Sequence, residues 1–238
     1  MLNINLILHN PFKTMGYDSE DIIPEGAFGA VLARAGVGKT AFLVQLALRA
    51  LLKNKNVLHI SLNDPVNKLG LWYKEVFNNL AKQYNIKPSN QLWEALLPHR
   101  FIMTFKVEGF SVPKLEERMT DLSEQNIFSP QVVIVDGFPF DESVRESLSE
   151  LKTIARKLSL HVWFAVRTHR HEEPASDGMP VVLSNVSDLF DVVIQLQPEG
   201  KEIHVLSLKG APFTSDFPEL RLDPSTMLIK NISSSPLQ

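Results

Sequence analysis

One octapeptide constrains this chain more than any other stretch: Ala33-Arg34-Ala35-Gly36-Val37-Gly38-Lys39-Thr40. The apolar run Phe28-Gly29-Ala30-Val31-Leu32 precedes it, and Ala41-Phe42-Leu43-Val44-Gln45-Leu46-Ala47-Leu48 follows. A strand, a glycine-bearing loop and a helix form the setting in which G-x-x-x-x-G-K-[ST] carries a mechanism. Gly36 and Gly38 can take φ > 0 and turn backbone N–H groups inward around phosphate oxygens. A helix starting near Thr40 adds its positive end to the same point. Lys39 is expected to reach the β/γ-phosphates, and the Thr40 hydroxyl to ligate Mg²⁺. The expected phosphate-binding set is therefore Ala33 to Thr40 with Ala41 behind it. Ala33 stands where the first glycine is usual, which strand-like φ permits.

Composition narrows what surrounds this loop. The chain has 238 residues, within the range of one α/β domain. Apolar residues make up 44% and charged residues 21%, as in ordinary globular chains. A net charge of −3, from 24 basic and 27 acidic residues, gives no support for a strongly nucleic-acid-binding surface. The absence of cysteine excludes disulfides, thiol catalysis and cysteine-based zinc sites. No apolar run approaches membrane-spanning length, and Met1 to Leu8 lacks a basic n-region and a cleavage site. A cytoplasmic protein is the expectation.

Periodicity divides the rest. Asn3 to Leu8 suggests a short strand in a lead-in over residues 1–26, broken by Pro11, Gly16, Pro24 and Gly26, with the core taken from about residue 20. Strands are predicted at 27–33, 57–62, 100–107, 131–136 and 161–166. Helices are predicted at 40–53, 66–84, 91–97, 113–125 and 142–158. Leu189–Leu196 and Glu202–Leu208, flanking Gln197–Lys201, read as a β-hairpin. Short edge strands are expected at 219–222 and 227–229, and a frayed tail from residue 230. His59, inside a strand, reads as a packed residue. Strands alternating with helices argue for a single α/β domain, with a mostly parallel sheet flanked by helices and extended by a C-terminal hairpin.

A phosphate cradle needs a second element to hold Mg²⁺. Asp136, closing the β-branched run Val132-Val133-Ile134-Val135, fits a Walker B carboxylate beside the loop. With this pair in place, the order of motifs resembles the RecA-like P-loop ATPase core, most closely its KaiC/RadA branch. The matching stretches are Ala33–Thr40, Asn63-Asp64, Val132–Asp136, Val166–Thr168 and Ser207-Leu208-Lys209-Gly210, covering roughly residues 20–212. The resemblance implies ATP and Mg²⁺ as cofactors, Thr40 and Asp136 as metal-site residues, and assembly into a ring or dimer with nucleotide between subunits.

The departures bear on mechanism. KaiC-like proteins carry two consecutive glutamates where this chain has Asn63 and Asp64. An amide cannot take a proton from attacking water, so Asn63 can only orient it. Asp64 is a shorter base, followed by Pro65. Asn63, Asp64 and Lys39 are the residues expected to carry any catalysis. The resemblance also implies a basic pair at the hairpin end that reaches a neighbour's nucleotide. Ser207 and Lys209 stand there, and Lys209 is a non-bidentate charge. Thr168, with Arg167, occupies the γ-phosphate sensor position. His169, His171, Glu172 and Glu173 form a weak metal pattern. The loop 169–184 holds Arg170 but no aromatic residue to stack a base, so a DNA motor is not supported. No Asn-Lys-x-Asp motif follows the P-loop, which favours ATP over GTP. Two readings stay open: a weak Mg-dependent ATPase whose nucleotide state controls conformation or assembly, or an ATP-binding module without turnover.

Overall fold

The computed structural model describes residues 21–141, 143–168, 178–210 and 219–231. The expected strand at Asn3–Leu8, most of the loop after Thr168, including His169, Arg170, His171, Glu172 and Glu173, and the tail beyond Asn231 lie outside these residues.

The apolar runs become the strands of the sheet, the central ones buried on both faces. They are β1 (Phe28–Ala33), β2 (Val57–Ser61), β3 (Arg100–Thr104), β4 (Val132–Asp136), β5 (His161–Arg167) and β6 (Val192–Glu199). β7 (Glu202–Lys209), β8 (Leu220–Leu222) and β9 (Ile229–Asn231) follow. All nine join one sheet in the order β3-β2-β4-β5-β1-β6-β7-β8-β9. From β3 to β6 every pairing is parallel, and from β6 to β9 antiparallel. Continuous β-branched and aliphatic sequence suits strands covered on two faces.

The covering helices are α1 (Lys39–Leu52), α2 (Val66–Gln83), α3 (Ser89–Leu96), α4 (Val112–Glu124), α5 (Val144–Lys157) and the single turn α6 (Val181–Ser184). α1, α2 and α3 lie against one face, where Val31, Ile134, Trp163 and Ile194 meet Phe42, Leu46, Tyr73 and Phe77. α4 and α5 cover the other, where Phe28, Leu32, Val135 and Phe164 meet Leu115, Met119, Leu148 and Leu151. Alternate residues of each strand therefore serve two cores.

Several boundaries differ from the sequence expectation. β3 stops at Thr104, and Val107–Gly109 is a 3-10 turn. Phe105 follows the sheet only through its N–H to the Ser61 carbonyl, then turns its ring onto Phe110. The helix expected from residue 142 begins at Val144, because the Asp141 side chain accepts from the Ser143 N–H and hydroxyl. β6 begins three residues later than the predicted strand. Asp191 instead ties β6 to β1, donating its N–H to the Phe28 carbonyl and accepting the Phe28 N–H. The hairpin strands run to Glu199 and from Glu202, leaving only Gly200-Lys201 as the turn, with Gly200 at φ 59. The last strand is Ile229–Asn231 rather than 227–229, since Met227 adopts a left-handed φ of 56 in the turn before it.

Register brings the chemistry together. Asp136 pairs with Ser61 on one side and Ala165 on the other, and Ala33 pairs with Arg167. The carboxyl ends of β1, β2, β4 and β5 thus share one edge, the place where open parallel sheets bind ligands.

Candidate functional site

The loop between β1 and α1 has the geometry its glycines imply. Gly36 sits at φ 77 and Gly38 at φ 114, conformations that side chains resist. Gly38 is the N-cap of α1 and supplies no side-chain cap, so the first amides of the helix face the loop. Lys39 folds inward and donates to the carbonyls of Ala33 (2.8 Å) and Arg34 (3.0 Å). The Ala33 carbonyl also accepts the Thr168 N–H at 3.1 Å, which ties the end of β5 to the loop. A side-chain carbon at Gly36 would meet nothing within 4 Å, so this stretch of the loop is open. Burial lowers the Lys39 pKa, Asp136 raises it, and Arg167 lowers it further. Arg167 is thus close enough to the loop to act on its lysine.

Thr40 and Asp136 meet directly: the Thr40 hydroxyl donates to Asp136 Oδ2 at 2.8 Å. They do so although β4 is not hydrogen-bonded to β1; β5 stands between them. α1 closes the gap by crossing the sheet edge. The Asp136 carboxyl is held above the usual range, first by burial and then by Asp64, against the Thr40 hydrogen bond, Lys39 and Lys68. Two hard oxygen donors side by side, one an under-compensated carboxylate, form a donor set that fits Mg²⁺.

At the end of β2, Asn63 and Asp64 diverge. The exposed Asn63 places its amide over Gly137, directly after Asp136, where an added side-chain carbon would collide with the Asn63 nitrogen. Gly137 has φ 92. Asp64 is capped from behind, its N–H donating to Ser61 Oγ at 2.8 Å. Its carboxylate is engaged by Lys68, one turn into α2, at 2.8 Å. That ion pair places Lys68 at the β2 side of the cleft. The sequence carried a signal for it, a lysine four residues after the acid at a helix start.

Lys209 is not brought to the loop of its own chain. It pairs with Val193, which is level with Ala30 on β1. That is three residues short of Ala33, roughly 10 Å along the strand. Its ammonium is occupied by the Ser187 carbonyl at 2.7 Å, and Ser207 Oγ donates to the Lys209 carbonyl.

Residues that sequence reasoning passed over support the loop from outside. Leu222 of β8 fills the space beside Gly38, 2.7 Å from where a side-chain carbon would sit, with Met227 next to it. Gln45, buried in α1, donates to the Met227 carbonyl (2.8 Å) and accepts the Ile229 N–H (2.9 Å). Asn79 of α2 donates to the Thr226 carbonyl at 2.9 Å. The signal in the sequence was Gln45, a polar residue inside the apolar run from Ala41 to Leu48.

Among the described residues no three His, Cys, Asp or Glu side chains gather as a metal-binding cluster. No described helix is long and apolar enough to cross a membrane. No protein-family model matches the chain, and no curated protein sequence matches it.

Proposed function

We propose that this protein binds ATP with Mg²⁺ in the cleft above β1, β4 and β5, as a P-loop protein similar to the KaiC/RadA branch of RecA-like ATPases. The observation that carries the reading is the Thr40–Asp136 contact across an intervening strand, beside a loop with two positive-φ glycines. Backbone amides of the loop and the α1 terminus receive phosphate oxygens. Lys39 moves its donors from loop carbonyls to phosphate, and Arg167 adds a second cation. Thr40 and Asp136 hold the metal ion, which neutralises phosphate charge when bound.

Turnover is slow in this reading, because Asn63 has no proton-accepting group and Asp64 is already paired with Lys68. The same two facts favour, as the second reading, a module that binds ATP without hydrolysing it. A homo-oligomer belongs to the proposal through the resemblance alone, with Lys209 then serving a neighbouring copy. A cytoplasmic location accompanies it.

The test is ATP binding and phosphate release by the purified protein beside Lys39→Ala. Binding with measurable turnover, both lost in the variant, supports an ATPase. Binding without turnover selects the second reading. Absence of binding by the unmutated protein refutes both.

A further inference from the structure

We infer that Lys68 is a positioning residue that holds Asp64 in a low-activity state, and so contributes to the slow turnover of this site. The inference rests on the ATP reading above. Asp64 is the one carboxylate of the cleft, among the described residues, that is not committed to the expected metal pair. Its side chain is 23% exposed, and Lys68 lies 2.8 Å from Oδ1. The pair is held from both ends. Ser61 Oγ accepts the Asp64 N–H, and Pro65 starts α2 so that residues 64 and 68 are one turn apart on the same face. The Lys68 side chain is 56% exposed, so its ammonium has room to follow the carboxylate.

The chemistry requires Asp64 to give up part of this contact. In hydrolysis a water oxygen attacks the γ-phosphorus and the bond from that phosphorus to the β–γ bridging oxygen breaks. The bond's electron pair leaves with ADP, and a proton of the water passes to Asp64. A carboxylate that accepts a charge-assisted hydrogen bond loses that stabilisation as it takes the proton. Lys68 therefore favours the unprotonated ground state over the transition state. Asn63, anchored over Gly137, provides no substitute base.

The pair is partly solvated, so its influence is modest. Lys68→Gln is expected to raise kcat about two- to fivefold, the equivalent of a partly exposed ion pair. KM and the Kd values for ATP and ADP stay within about twofold, since Lys68 serves Asp64 and not phosphate. Lys68→Arg restores the low rate. The Asp64→Asn, Lys68→Gln double variant shows no gain, because the group being released is absent. This pattern, with ADP and a non-hydrolysable ATP analogue bound equally by all four proteins, establishes the inference. A fall in kcat with weaker ATP binding overturns it, because Lys68 then contacts the phosphates. Unchanged kcat with binding retained overturns it and leaves the ATP reading standing. Loss of nucleotide binding in the unmutated protein overturns the ATP reading and this inference with it.

Discussion

Gln45→Met tests whether β8 and β9 are fastened to α1 by one side chain. The substitution keeps the volume and the helix propensity but removes the amide. Two backbone groups lose their partner, the Met227 carbonyl and the Ile229 N–H, at 2.8 and 2.9 Å. Gln45 is 8% exposed and Ile229 3%, so water does not replace the amide without disrupting the packing. The buried Ile229 N–H costs about 1–3 kcal/mol when orphaned and the partly buried Met227 carbonyl less, so the pair gives roughly 2–4 kcal/mol. The loss is expected to fall on β8 and β9 first, since these short strands form the far edge of the sheet beyond β7. Amide hydrogen exchange read residue by residue is the assay. An opening made easier by about 2 kcal/mol raises the exchange of the Ile229 and Leu222 amides roughly 30-fold. The amides of β4 change less. If Ile229 exchanges at the unmutated rate and urea unfolding shows a loss below about 0.5 kcal/mol, the fastening is not through Gln45.

Other consequences can be checked alongside. Gly137→Ala meets the Asn63 amide and must hold φ 92, so it is expected to cost about 1–3 kcal/mol and to displace Asn63 from the cleft, read by thermal unfolding and by ATP turnover. Asp136→Asn removes a carboxyl whose folded-state pKa is raised, chiefly by burial. The stability that this carboxyl forfeits appears as pH rises from the ordinary value of 3.8 through the raised folded value. The variant is therefore expected to be the more stable protein at neutral pH, with the advantage vanishing below that window, while metal-dependent ATP binding is lost. His59, held down to about 3 by burial and then by Arg100, refuses a proton that the unfolded chain accepts near 6.5. Stability through this group falls as pH drops across that interval, and His59→Phe should show a shallower acid slope in urea unfolding.

The strand, loop and helix around Lys39 were legible because each is encoded locally. Glycines at 36 and 38 dictate the loop's φ, and apolar runs on either side dictate strand and helix. The same holds for β4 and its terminal Asp136, since an unbroken β-branched run specifies a buried parallel strand whatever its neighbours. Hairpin ends and helix starts were less legible. They turn on single contacts such as Asp141 with Ser143 and Asp191 with Phe28, the second spanning 163 positions.

What the sequence determined by itself was the inventory: a phosphate-type loop, a carboxylate strand, an amide and a short acid where two longer acids are usual, and an α/β order. Tertiary structure alone decided which of these meet. It placed β5 between β1 and β4 yet joined Thr40 to Asp136 through α1. It set Lys209 level with Ala30, short of the loop end of β1, and it laid Leu222 and the turn at Met227 against Gly38. Local propensity acts over a few residues and is written in them. Strand order and the packing of a C-terminal turn on a helix 182 positions earlier depend on how two hydrophobic layers close over one sheet, and no short stretch encodes that.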